Sequence, residues 1–461
     1  MARSTYFSAL SAVAFTLVSG CAAIDPHNVI GRQLGGGFGT PVEVVPSPPA
    51  TKLDAASRDR AFEFVWNTIN DRYYDPKLHG VDWVSVGERY RPQALAAADD
   101  EAFWETLDRM TGELRDAHTR IESPKRVELR RRDESISLGF SFVPIDGKLA
   151  VTGVSGDSDA WWAGVRPGMT IAKIGGEPAM DAYRKLLEGT RFDSTDRSRH
   201  QRALRNLLAG AEGTSVDFTF ERADGTPIVA KVSRRKASTR FSATHRVLPS
   251  GMGYIRFSGW TLGALPRFDE ALRELSKTPG LVIDLRGNPG GSMHVVNEVL
   301  ERFFDRPTKL GHVLTRTGQP VSMLFGAVEL IKLDPVTRGN PNAYKGPVTI
   351  LVNAGSASAS ELFSAAMQAT GRAKVVGEPT CGCLLGYLGY ARVPGGADLA
   401  YSEVGFVTVN GKRVEGEGVV PDIAVPLTLE DLRAGRDRTL ETAQQVLAQS
   451  VSKANATAKA P

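Results

Sequence analysis

The chain has 461 residues, 42% of them hydrophobic, enough for two or three domains with cores of their own. Its net charge of +4 is small for that length, and the tract "ESPKRVELRRRD" reads as a solvated hairpin or linker, so nothing favours nucleic-acid binding. After the first residues no run is long enough to span a membrane as a helix, and no internal repeat is present.

The start, "MARSTYFSALSAVAFTLVSGCAA", combines a positive charge, a short apolar stretch and small residues before a cysteine, which reads as a secretion signal. "VSGC" resembles the lipobox of bacterial lipoproteins. That implies cleavage before Cys21, a lipid on its sulfur, and, with Ala22 next, an outer-membrane anchor facing the periplasm. Residues 1–21 are thus expected to be signal and lipobox, and the Gly- and Pro-rich 22–53 a flexible tether.

Residues 54–125 carry helical periodicity. Phe62, Val65, Trp66, Ile69 and Tyr73 share one face, and Phe103, Leu107, Met110 and Leu114 another. Residues 134–235 alternate short apolar runs with Gly, Asp and Pro turns, the pattern of a small β-rich module. This module resembles a PDZ domain, with Leu138-Gly139-Phe140 as its carboxylate-binding loop and "AGVRPGMTIAKIGG" as its helix-turn-strand signature. Backbone N–H groups in such a loop hold a terminal carboxylate while a peptide adds to the sheet edge. The helical stretch "YRKLLEGTRFDSTDRSRHQRALRNLLAGAEG" is an insertion into that pattern.

Residues 242–430 alternate strand and helix signals, which predicts a layered α/β core. In 431–461 a closing helix precedes "VSKANATAKAP", read as disordered. Within the core, "NAGSASASELF" joins an apolar strand to a helix. A serine there meets unpaired N–H groups and the positive end of the helix dipole, which suits a nucleophile and an oxyanion. "DLRGNPGG" is a strand running into a glycine turn whose N–H groups could complete an oxyanion hole. "VEGEGVVPD" is a turn carrying two carboxylates.

Those three stretches, in that order after a PDZ-like module, resemble the C-terminal processing (tail-specific) serine peptidases, whose superfamily includes the tricorn protease core. The resemblance implies a multi-domain α/β fold with a crotonase/ClpP-like protease core, and cleavage of protein or peptide substrates, including through their C-termini. It makes Ser358 the nucleophile, gives Ser356 and Ser360 packing and capping roles, and assigns the oxyanion donors to Gly290 or Gly291 and to Ala359. The better-known branch uses a lysine as base. Here the aligned position is Cys383, and no lysine occurs between Lys374 and Lys412. The tricorn-like branch uses a histidine and a glutamate instead. "Asp116-Ala117-His118-Thr119" resembles its histidine motif, so His118 is the expected base and Glu415 the supporting carboxylate, with Glu417 second to it.

Cys381 and Cys383 are either a short disulfide in an oxidising compartment or two buried thiols. No histidine cluster accompanies them to build a zinc site, and no cofactor is implied. The competing reading is a catalytically inactive PDZ-containing binding or scaffold protein of the same fold, which loss of the lysine would favour.

Overall fold

A computed structural model of the protein describes residues 27, 29, 32, 52–131, 134–238 and 241–458. The signal and lipobox, with Cys21, lie outside the described residues, as does most of the tether. Arg32, expected within that tether, is buried: its guanidinium donates to both carboxylate oxygens of Glu403, to the Tyr401 hydroxyl and to the Gly389 carbonyl. No helix among the described residues is long and apolar enough to cross a membrane.

Three helices open the body: α1 (Ala55–Arg72), α2 (Trp83–Leu95) and α3 (Asp100–Gly112). Each starts at an aspartate, Asp54, Asp82 or Asp99, whose side chain accepts an N–H three residues on and so satisfies one orphan donor of the first turn. The predicted apolar stripes are buried, but they do not close a bundle of their own. They share one cluster with Leu385, Val393, Leu399 and Tyr401 from the far end of the chain. Strand β1 (Arg120–Glu122) pairs with a strand at Asp398–Ala400, placing Ile121 opposite Leu399. The loop 115–119, held between α3 and β1, is thereby fixed to the C-terminal core. The basic tract forms a short helix, Pro124–Arg131, rather than a hairpin or linker; its run from Lys125 to Arg131 has no breaker and starts at a proline, which suits a first helical turn.

The second module is an antiparallel sheet in the order of its strands: β2 (Phe140–Ile145), β3 (Lys148–Val154), β4 (Thr170–Ile174), β5 (Ser215–Glu221) and β6 (Pro227–Ser233). Alternate residues point inward, so Phe140, Phe218 and Phe220 meet, with Phe140 edge-on to the other two. The insertion forms α4 (Ala179–Gly189) and α5 (Asp196–Leu208), and α5 begins in a capping box at Thr195.

The core sheet runs β7 (Ala243–Val247), β8 (Gly253–Phe257), β9 (Leu281–Asp284), β10 (Val348–Val352), β11 (Lys374–Gly377) and β12 (Ile423–Ala424). All neighbours are parallel except β7 and β8. A parallel sheet buries both faces, and the period of two sorts its side chains between them. Ile255, Ile283, Ile350 and Val375 face α6 (Leu265–Glu274), α7 (Met293–Leu300) and α8 (Ala359–Ala369). Tyr254, Val282, Leu351 and Val376 face α9 (Arg438–Ala458). That last helix continues through Val451 to Ala458, where disorder was expected. Alanines at 454, 456 and 458 sustain it without a breaker, and Val451 packs on the sheet.

Candidate active site

Strand β10 ends at Val352, and after a five-residue turn Ser358 stands as N-cap of α8. Its φ of +54° and ψ of −114° are strained for a residue with a Cβ, a cost of about 1–3 kcal/mol that the surroundings must offset. Several hydrogen bonds do so. The Ser358 N–H donates to a Glu361 carboxylate oxygen at 2.9 Å and faces the Cys383 carbonyl at 3.2 Å, while the Glu361 N–H returns to the Ser358 carbonyl at 2.8 Å. On either side, Ser356 Oγ donates to the Leu285 carbonyl, and Ser360 Oγ donates to the Asn288 carbonyl while accepting from Trp260 Nε1. Ser360 therefore ties this turn to the glycine turn and to Trp260 instead of capping the helix. Ser358 alone keeps its hydroxyl for the cleft.

Glu361 was not singled out from the sequence, although S-x-x-E before an apolar run is a capping-box signal. Fully buried, it accepts from four donors: the N–H groups of Ser358, Gly382 and Cys383, and the Thr380 hydroxyl. Burial pushes its pKa up and these donors pull it back down.

The glycine turn lies against the serine. A Cβ at Gly290 would stand 2.7 Å from Ser358 Cβ and 2.8 Å from the Ala357 carbonyl, so only glycine fits. The Gly290 N–H donates to Asn288 Oδ1 at 2.9 Å and is thus taken. Among the described residues the N–H groups of Gly291 and Ala359 find no acceptor. Of the donors the sequence offered, these two are left for an oxyanion. Before the turn, the buried Asp284 carboxylate takes the Arg286 guanidinium and the Tyr254 hydroxyl, and Arg286 also holds Asp437; the pair locks the strand end.

The structure brings His118 to the serine across 240 positions of sequence: Nε2 lies 3.1 Å from Ser358 Oγ. Its backbone N–H donates to Asp116 Oδ1 at 2.7 Å. Asp116, wholly buried, also accepts from the hydroxyls of Tyr73, Thr119 and Ser402. The insertion closes the loop from outside. Buried Arg191 donates to the carbonyls of Asp116 and Thr119 and pairs with Asp108, and Ser194 Oγ accepts the Ala117 N–H at 2.8 Å. Burial lowers the His118 pKa below its ordinary value near 6.5, and Arg120 adds to this, against the opposing pull of Asp116. The imidazole is therefore neutral at neutral pH, the state that can accept a proton. Its Nδ1 has no hydrogen-bond partner among the described residues.

Glu415 is not joined to His118. Both its oxygens are buried without a hydrogen-bond partner among the described residues. Burial, with the Asp116 charge next, holds its pKa well above the usual carboxylate range; the Ser194 hydroxyl and the Leu384 N–H lie close enough to counter this in part but fall short of hydrogen-bond geometry. Glu417 is exposed, and its carbonyl accepts from Arg197. Cys381 and Cys383 form a disulfide. In the PDZ-like loop, Leu138 and Phe140 are buried, and the Gly139 N–H is satisfied by Ser137 Oγ at 2.9 Å.

Comparison with known proteins agrees with this architecture. Residues 251–425 match peptidase family S41, and residues 54–112 match the tricorn protease C1 domain. Tricorn protease homolog 2 of Streptomyces coelicolor is 27% identical over 419 residues, which cover 84% of this chain and 32% of that protein. Carboxy-terminal processing protease CtpB of Bacillus subtilis is 28% identical over 289 residues, covering 61% and 53%. The chain thus spans about a third and about half of these two relatives. Two solved structures share the fold: mature CPAF, with a TM-score of 0.65 at 16% identity over 86% of this chain and 98% of that one, and the photosystem II D1 C-terminal processing protease, at 0.53 and 22% over 85% and 97%.

Proposed function

Because residues 251–425 match peptidase family S41, we propose that the chain is a serine endopeptidase of that family in which Ser358 is the nucleophile and His118 the general base. The 3.1 Å approach of His118 Nε2 to Ser358 Oγ carries this reading. As Oγ attacks the scissile carbonyl carbon, Nε2 takes its proton. The carbonyl oxygen becomes an oxyanion facing the N–H groups of Ala359 and Gly291. The intermediate collapses to an acyl-serine as the imidazolium gives the proton to the departing amine, and a water repeats the sequence to release the acid. Asp116 is a positioning residue: it holds the backbone of His118 and supplies the nearest compensating charge. Glu415 acts at one remove, through Asp116 and the Ser194 hydroxyl that steadies Ala117.

The same proposal has the PDZ-like module either bind substrate tails or gate the site. Its insertion supports the gating role, since Arg191 and Ser194 hold the histidine loop while Thr195 and Arg197 hold the carbonyls of Cys381 and Thr380 beside the serine. Export and lipid anchoring at Cys21 complete the reading, supported by the sequence of residues 1–21.

Cleavage of an unfolded protein such as casein, together with fluorophosphonate labelling, tests it. Wild type should cleave and label at Ser358, and Ser358→Ala and His118→Ala should lose about 10³-fold or more in kcat. Equal cleavage by all three would remove the mechanism. A folded wild type that neither cleaves nor labels would favour the inactive binding protein.

A further inference from the structure

The segment Thr380–Cys383 stands where lysine-dependent relatives would place their base, yet it offers no proton acceptor of that kind. What it does offer is a wall. All six polar backbone groups of Cys381-Gly382-Cys383 are engaged, and five of the six bonds go to the nucleophile's support or to the parts that hold the histidine. The Cys383 carbonyl accepts from the Ser358 N–H, and the Cys381 N–H donates to the Ser356 carbonyl. The N–H groups of Gly382 and Cys383 donate to the two Glu361 oxygens at 2.7 and 2.9 Å. The Cys381 carbonyl accepts from Thr195 Oγ1 at the start of α5. The Gly382 carbonyl accepts from the Gly416 N–H, next to Glu415.

This three-residue wall is short, contains a glycine at φ +76°, and has no regular secondary structure to stiffen it. Its one covalent constraint is the Cys381–Cys383 bond. Without it, the three residues regain backbone freedom, and the first atoms to lose their partners are the Ser358 N–H and the Glu361 carboxylate. A strained φ at Ser358 is kept only while those bonds over-determine it.

We propose that the Cys381–Cys383 disulfide is a positioning element for the nucleophile, and that its reduction by a dithiol reductant switches the site off. The inference rests on the Ser358–His118 reading above. The chemistry is thiol–disulfide exchange. A reductant thiolate attacks the Cys381 sulfur, the more exposed of the two, and the Cys383 sulfur leaves as thiolate and takes up a proton. The reductant's second thiol then attacks the mixed disulfide. Cys381 leaves as a thiol, and the reductant departs as its own disulfide. Two electrons and two protons have passed to the protein.

The experiment is a redox titration of the purified full chain in buffers of reduced and oxidised dithiothreitol. The thiol content is trapped by alkylation and read by mass. Peptide cleavage and the rate of fluorophosphonate labelling at Ser358 are measured at each potential. Both rates should fall about 10- to 100-fold on reduction, with one midpoint that coincides with the loss of the disulfide. The loss should be in kcat with KM nearly unchanged, and reoxidation should restore it. The C381S/C383S double variant should sit at the reduced rate and ignore potential. An oxidised protein that is active, and equally active with two free thiols counted by mass, would overturn this proposal while leaving the catalytic reading intact. An oxidised protein that is folded but inert would overturn both.

Discussion

The two halves of the proposed catalytic pair are built in opposite ways. The serine half is local. Strand, turn, cap, helix and the wall of Cys381–Cys383 lie between Val348 and Cys383, and most of the hydrogen bonds that hold Ser358 are backbone bonds within that span or to the adjacent glycine turn. The histidine half is assembled from afar: Tyr73 and Asp116 from the N-terminal region, Arg191 and Ser194 from the inserted module, Ser402 from the core. The difference separates two kinds of sensitivity. A defect on the serine side should spoil geometry at one atom. A defect on the histidine side should weaken the joint between three parts of the molecule.

Glu361→Gln probes the serine side and should have the largest effect of the variants beyond the pair itself. An amide has one acceptor oxygen, so two of the four donors that converge on Glu361 lose their partner, at about 1–3 kcal/mol each. Misplacing Ser358 should lower kcat about 10²-fold with KM nearly unchanged. A Glu361→Gln enzyme with wild-type kcat would show that the strained cap holds itself.

Arg191→Ala probes the histidine side. It strips the loop of two carbonyl contacts and leaves Asp108 without its ion pair. The expected loss of stability is about 3 kcal/mol, at the low end for buried pairs because Asp108 keeps some solvent access. Activity should fall about 10-fold, and chemical denaturation and kinetics should move together. Arg191→Ala that loses activity at unchanged stability would break the contrast between the halves.

The pH dependence follows from the His118 shift. Its folded pKa lies below about 6.5, so kcat/KM should hold down through neutrality and fall only on the acid side of that value. Asp116→Asn removes the charge that raises the pKa and should move the limb further toward acid. A limb in wild type above pH 6.5 would contradict a buried, neutral base.

This asymmetry also explains what could be read from the sequence. The layered α/β core, the small β-rich module and the strand-to-helix junction that carries Ser358 were legible because each is written in a contiguous stretch of apolar runs and turn glycines, while the choice of Ser358 among its three serines came from the family resemblance. The S-x-x-E signal of Glu361 is local but speaks only of a helix cap; three of its four donors, on Thr380, Gly382 and Cys383, come from a loop beyond the next strand. Arg191 left no signal at all. An arginine in a polar insertion reads as solvated, and only the fold brings it to backbone carbonyls more than seventy residues away. The burial of Arg32 against Glu403 was hidden for the same reason. The glycine turn after β9 was legible as a turn, but which glycine N–H is spent on Asn288 is a matter of side-chain direction that no spacing reveals.

Glu415→Gln should have the smallest effect on the chemistry and an opposite one on stability. A carboxylate that carried charge against the imidazolium would cost on the order of 10⁴-fold in kcat on amidation, as in serine proteases of the Ser-His-Asp type. Glu415 has no hydrogen bond to His118 and is biased toward its neutral form by burial and by Asp116, so an amide of the same shape should keep kcat within about tenfold of wild type. Stability has the reverse sign from an ion-paired acid. The folded pKa is raised above the unfolded value near 4.3, so between the two the native state binds more protons than the unfolded chain. The contribution is present in full below that unfolded value and is lost as pH rises through the folded one. Glutamine does not titrate. The denaturation midpoint of Glu415→Gln should therefore fall less than that of wild type as pH rises from 5 to 9, and the gap in favour of the variant should widen with pH. A kcat loss of 10³-fold with no change in that pH dependence would instead make Glu415 an ionised partner of the histidine and would give the distant half of the site a second charge.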